Sequence, residues 1–130
     1  MSLCVCLFSA CSRTDVAPGT ETVSSVIAMY QKITANEAKA MMDSGKPFVL
    51  LDVRTEAEYA AKRIDGALLI PDYAIGERAA AELPDTSVLI LIYCHSGRRS
   101  ASAANELIRM GYTSVYDFGG LLDWPFDTMK

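Results

Sequence analysis

Apolar residues in this chain gather in short unbroken runs, each followed by a more polar stretch with helical spacing. Phe48-Val49-Leu50-Leu51, Ala67-Leu68-Leu69-Ile70, Val88 through Tyr93, and Ser114-Val115-Tyr116 have the length of strands. Continuous rather than alternating apolar character belongs to strands covered on both faces. Thr34 with Glu37 predicts a capping box opening a helix on which Ala38, Met41 and Met42 share a face, and Gly45 and Pro47 end it. Thr55 with Glu58 predicts a second, shorter helix carrying Tyr59. Residues 74 to 83 are Ala-rich and helical by pattern. Ala101, Ala104, Leu107 and Ile108 recur at helical spacing until Gly111. Strand and helix alternate, and the gaps between strands are long enough for right-handed crossovers. The expected architecture is a single α/β domain: a parallel four- or five-stranded sheet flanked by helices on both faces.

The domain is expected to occupy residues 30–130, since residues 12–29 mix Ser, Thr, Asp, Pro and Gly in the manner of a flexible linker. Leu3 to Ala10 is apolar but far too short to span a bilayer, and residues 1–11 read as a signal remnant. Leu7-Phe8-Ser9-Ala10-Cys11 resembles a bacterial lipoprotein processing site, making Cys11 a lipidation candidate. Phe8 stands where such sites usually carry Leu, and no Lys or Arg precedes the run. Met1-Ser2-Leu3 reads as an expression leader joined to a truncated signal, which would explain the missing positive charge. The expected location is extracytoplasmic with membrane contact only through lipid, or cytoplasmic if the leader is no signal.

Composition narrows the chemistry. A formal net charge of −4 argues against a broad nucleic-acid surface, so any anion site must be made by one loop. Three of the four cysteines, Cys4, Cys6 and Cys11, precede the domain, which leaves Cys94 alone in it. A disulfide framework is therefore not expected. Neither a metal site nor a cofactor is expected, because no second ligand cluster accompanies the N-terminal cysteines.

Cys94 follows directly on the most apolar run, and ligands of open α/β sheets bind beyond the carboxyl ends of strands. The segment Cys94-His95-Ser96-Gly97-Arg98-Arg99-Ser100 leads into a helix predicted to begin near Arg98 or Ser100. The unpaired N–H groups and the positive dipole end of that helix favour an anion, including a thiolate. Gly97 lets the backbone turn toward sulfur. Arg98 and Arg99 offer forked donors for sulfonate or phosphate oxygens, and Ser96 and Ser100 add hydroxyls. His95, the one histidine, adjoins the thiol in sequence.

These residues resemble the active-site loop of the rhodanese family, specifically its single-domain members. Two flanking motifs are similar as well: Leu50-Leu51-Asp52-Val53-Arg54 with Glu58-Tyr59 and Ile64-Asp65-Gly66-Ala67 upstream, and Val115-Tyr116-Asp117-Phe118-Gly119-Gly120 through Trp124-Pro125 downstream. Three motifs in order are far more specific than a cysteine-arginine loop. The resemblance implies a sulfurtransferase in which Cys94 takes sulfane sulfur from a donor such as thiosulfate, holds it as a persulfide in the six-residue loop from Cys94 to Arg99, and passes it to cyanide or a thiol. Relatives of the fold that act on phosphate or arsenate use a loop one residue longer with Arg six positions after the cysteine, where this chain has Ser100. Asp52, Arg54 and Glu58 are expected to act as structural support, with Arg54 paired to Glu58. Many relatives carry Gly-His where this chain has Lys62-Arg63, a departure that adds charge.

The expected partners are a small sulfur-containing anion or persulfide donor and a thiol acceptor, met by a monomer. The alternative is a persulfide carrier with little thiosulfate turnover. A thiol oxidoreductase would need a resolving cysteine, which the domain lacks.

Overall fold

The computed structural model describes residues 29–130. The signal remnant, Cys11 and all of the linker before Met29 lie outside the described residues. The chain runs β1 (Gln31–Lys32), α1 (Ala35–Asp43), β2 (Val49–Asp52), α2 (Glu56–Ala61), β3 (Leu68–Leu69), α3 (Ile75–Glu82), β4 (Ile90–Cys94), α4 (Arg98–Arg109) and β5 (Val115–Gly120). Short 3-10 turns at Asp72–Ala74 and Leu121–Asp123 follow β3 and β5. The five strands form one sheet in the order β1-β5-β4-β2-β3, and every pairing is parallel.

Side chains on successive strand residues point to opposite faces, so the apolar runs supply two cores at once. Leu51, Ile90, Ile92 and Cys94 pack with Ile75, Ala79, Ala103, Ala104 and Leu107 of α3 and α4. Leu50, Leu91 and Tyr93 pack with Ala38 of α1 and with Phe118, Leu121 and Trp124 on the other face. Ile90, Leu91 and Ile92 are fully buried, each stabilising the fold by about 1.5–3 kcal/mol. Phe118, Trp124 and Phe126 stack in sequence at centroid separations of 5.3 and 4.9 Å, which seals the end of the second core.

Both capping boxes form. Thr34 Oγ1 accepts from Glu37 N–H while the Glu37 carboxylate accepts from Thr34 N–H, and Thr55 and Glu58 repeat the arrangement at the start of α2. These boxes fix where the chain leaves β1 and β2 and turns back over the sheet.

The strand limits differ from the expected ones in instructive ways. β4 begins two residues late, because Val88 N–H is held by Asp85 O in a turn. It also extends to Cys94, which is thus the last residue of a central strand. β5 continues past Tyr116 to Gly120, pairing with β4 beyond its apolar stretch. β1 consists of two exposed residues, Gln31 and Lys32, held by backbone pairing to Tyr116 and Asp117. No described helix is long and apolar enough to cross a membrane.

Candidate active site

The site is built at the carboxyl end of β4. A register shift between Ile92 and Cys94 brings Cys94 opposite Gly120 at the end of β5. The chain then turns through His95, Ser96 and Gly97, and α4 starts at Arg98. Gly97 has φ of +105°, a conformation costly for any residue with a Cβ, and it directs its N–H at Cys94 Sγ, 2.9 Å away. Gly120 is demanded for a different reason. A Cβ there would come within 2.1 Å of His95 O, so only glycine lets β5 pass against the loop. Leu122 N–H then donates to His95 O at 3.1 Å and fixes the loop from outside.

Cys94 is fully buried, so its sulfur lies at the floor of the loop. The first-turn N–H groups of α4 have no partner within the helix, and the positive end of the helix dipole lies there. A loop of this size, with one N–H already on sulfur, provides a cradle for a second sulfur atom carrying negative charge.

Beneath the sulfur lies a polar chain in which Asp117 enters. The Cys94 thiol donates to Ser100 Oγ at 3.6 Å, and Ser100 Oγ donates to Asp117 Oδ1 at 2.8 Å. Ser100 Oγ also approaches Gly97 O at 3.2 Å and Gly119 O at 3.3 Å, but it has a single proton, and the carboxylate is the strongest acceptor in reach. Asp117 Oδ1 accepts in addition from Gly119 N–H at 2.8 Å. Asp117 Oδ2 is buried without a hydrogen bond, 3.5 Å from Lys32 Nζ on the neighbouring strand. Ser100 therefore underpins the loop from below instead of lining the anion cradle. In the sequence Asp117 is one letter of the downstream motif, and the signal of its role is an acidic residue at an otherwise buried position of a strand.

The arginines divide their work differently from expectation. Arg54 does not pair with Glu58. Its Nε and Nη2 donate to Asp52, with the shortest contact 2.6 Å, and Nη2 also donates to Lys62 O at 2.6 Å. Tyr93 Oη donates to Asp52 Oδ2 at 2.7 Å and accepts from Ile64 N–H at 3.1 Å, completing a buried cluster that ties β2 to β4 and to the end of α2. Burial, then the hydrogen bond and charge of Asp52, push the Tyr93 hydroxyl well above its ordinary value. For Arg54 burial works downward, yet the bond to Asp52 and its charge prevail and raise it. Two residues apart at the end of β2, the Asp52 and Arg54 side chains project to the same side of the chain and meet directly, whereas Glu58 lies a helical turn further on in α2.

Glu58 instead receives both ends of the Arg99 fork, at 2.8 and 2.9 Å. The hydrogen bonds from Arg99 lower the Glu58 carboxyl from 4.5 to about 2, against the opposing effect of burial and with help from Thr55. Arg99 is correspondingly raised by the same bond. The fork is thus engaged by Glu58, and Arg99 clamps the end of the loop to α2. Arg98, His95 and Ser96 are exposed around the loop.

Two hollows flank the loop. One, of about 520 Å³, is bordered by Ser96, Gly97 and Gly119 together with Lys32 and the start of α1. The other, of about 400 Å³, is bordered by His95, Lys62, Leu121, Leu122 and Trp124, with the Arg54 and Glu58 side chains at its wall. Among the described residues no cluster of three or more metal-binding side chains exists.

Comparison with known proteins agrees with this geometry. The model of the rhodanese-like domain matches residues 34–125. Thiosulfate sulfurtransferase PspE of Escherichia coli strain K12 is 40% identical over 80 residues, covering 62% of this chain and 77% of that protein. A sulfurtransferase of Allochromatium vinosum is 33% identical over 97 residues, covering 74% and 89%. The solved structure of a rhodanese with anions from E. coli superposes with a TM-score of 0.60 at 36% identity, covering 63% of this chain and 96% of that one. With the loop, both flanking motifs and the parallel five-stranded sheet in place, this chain belongs to the rhodanese-like family.

Proposed function

We propose that this protein is a sulfurtransferase that moves sulfane sulfur from a donor such as thiosulfate to a thiophilic acceptor through a persulfide on Cys94. The observation that carries the proposal is the Cys94 sulfur at the floor of a six-residue loop, already accepting Gly97 N–H at 2.9 Å. After its proton has passed to solvent, the Cys94 thiolate attacks the outer sulfur of thiosulfate. A new S–S bond forms, the donor's S–S bond breaks, and sulfite leaves with its electron pair. The terminal persulfide sulfur then occupies the centre of the loop, where backbone N–H groups and the start of α4 stabilise its charge. Attack by an acceptor on that outer sulfur breaks the protein's S–S bond and returns Cys94 as thiolate. The domain contains no second cysteine, so no internal disulfide interrupts the cycle.

Purified protein is mixed with thiosulfate and cyanide, and thiocyanate is followed. Turnover above a Cys94→Ser control is expected. A Cys94 persulfide detected by intact mass without thiocyanate would instead favour a carrier that takes sulfur from another donor. We further propose, from the sequence at Cys11, that the protein acts outside the cytoplasm on a lipid anchor. The expected mass increment on Cys11 in protein expressed in a bacterial host tests this, and unmodified Cys11 would overturn it.

A further inference from the structure

We infer that the hollow beside His95 is an acceptor site for a thiol that carries a carboxylate and an apolar body, with Lys62 as the residue that selects it. This rests on the sulfurtransferase reading and adds to it the chemical class of the acceptor. Of the charged side chains at the hollow, one remains available. Arg54 is buried and committed to Asp52 and to Lys62 O. Glu58 is committed to Arg99. Lys62 is exposed, and among the described residues its ammonium has no ion-pair partner.

The neighbouring Arg63 cannot play the same part, because its guanidinium stacks 4.6 Å from the centre of the Tyr59 ring and donates to Tyr59 O. Of the two adjacent cations, one is therefore spent on packing and the other faces the hollow unpaired. α2 ends immediately before Lys62, whose extended backbone leaves the helix and puts this residue at the hollow's edge.

Apart from His95, the rest of the lining (Ala61, Leu121, Leu122 and Trp124) is apolar. Leu121 and Trp124 are buried at its base, and Leu122 stands 68% exposed although it is a large aliphatic residue. An exposed leucine beside a lone cation, on the side of the loop where His95 follows the reactive cysteine, matches a ligand whose charge is negative and whose body is apolar. His95, the residue after Cys94, borders the hollow, so the acceptor role of a ligand seated there requires that it bear a nucleophilic sulfur. In the transfer step its thiolate attacks the outer persulfide sulfur. The new S–S bond forms on the acceptor, the S–S bond to Cys94 breaks, and the electron pair returns to Cys94.

The test isolates that step. Cys94 is first loaded, with thiosulfate or with polysulfide, and the gain of one sulfur is confirmed by intact mass. The loaded wild type and a loaded Lys62→Glu variant are then mixed with 3-mercaptopropionate or with the neutral 2-mercaptoethanol, and disappearance of the persulfide is timed. Differences in intrinsic thiol reactivity cancel when each acceptor is compared between the two proteins. Charge reversal at a solvent-facing site is expected to slow 3-mercaptopropionate about tenfold at low salt and to move 2-mercaptoethanol by less than about twofold. A Leu122→Ser variant is expected to slow 4-mercaptobenzoate more than 3-mercaptopropionate. Equal effects on the charged and neutral acceptors, or none on either, would overturn the assignment while leaving sulfur transfer intact. Failure to load Cys94 from either donor would overturn sulfur transfer itself and the assignment with it.

Discussion

Two carboxylate–arginine pairs stand at the same end of the sheet, and they serve opposite ends. Asp52 and Arg54 are sealed, with side chains 0% and 3% exposed, and Tyr93 Oη and Lys62 O add further hydrogen bonds to the pair. Glu58 and Arg99 are 32% and 31% exposed and join two elements, α2 and the start of α4. The first pair holds the scaffold together, while the second sets the position of the loop that holds Cys94. Identical functional groups thus divide into structure and chemistry according to how much water reaches them and what lies on the far side of each bond.

The comparison predicts its own failures. Arg54→Ala leaves Asp52 buried without its counter-ion, and removal of one partner of such a pair costs about 3–5 kcal/mol. A large fall in the urea midpoint is expected, with sulfur loading per folded molecule nearly unchanged. A variant of unaltered stability would show that the sealed pair contributes no more than an exposed one. Tyr93→Phe removes the hydroxyl shared by Asp52 and Ile64 N–H, and stranding those two buried groups costs about 1–3 kcal/mol. Equilibrium unfolding measures it, and again transfer activity should follow the folded fraction only.

Arg99→Gln reverses the pattern. Stability is expected to change by less than about 1 kcal/mol, as is usual for a partly exposed pair. The rate of Cys94 loading should fall about tenfold, equivalent to about 1.4 kcal/mol in the barrier, because the loop loses its tether to α2. Equal losses of stability in Arg99→Gln and Arg54→Ala would erase the distinction between the pairs.

The same contrast explains how far the sequence could be read. Unbroken apolar runs revealed β2 and β4 because a strand covered on both faces leaves that mark in its own side chains. Gln31 and Lys32 of β1 leave none, since they are exposed and held by backbone bonds alone. The Thr55–Glu58 capping box was legible at a separation of three residues. The bond from Glu58 to Arg99 spans 41 residues and depends on how α2 lies against the loop, which local spacing does not encode. Cys94, Gly97 and the helix start at Arg98 were legible because they are contiguous. Asp117 was not, because its contact with Ser100 exists only once β5 lies beside β4 and α4 covers them.

The smallest expected effect is the most discriminating, because it uses pH to switch one pair. Glu58 is lowered from 4.5 to about 2 in the folded protein, chiefly by Arg99. A carboxyl depressed by folding adds stability at all pH values above its ordinary titration range, and that contribution is lost as pH falls through the folded value. Glu58→Gln keeps a capping-box side chain at the same helical position, since glutamine serves there as well, and removes only the charge. The gap in urea midpoint between wild type and Glu58→Gln should therefore be constant from neutral pH down to about 5. It should then shrink between 4.5 and about 2, the window fixed by the two Glu58 values. Exposure near one third limits the gap to under about 1 kcal/mol, and raising salt to about 1 M should reduce it further, because the screening length then falls to about 3 Å. A gap that persisted unchanged at pH 2 would mean that Glu58 supports the loop through its hydrogen-bonding shape and not through its charge, and the contrast with the sealed pair would then rest on position alone.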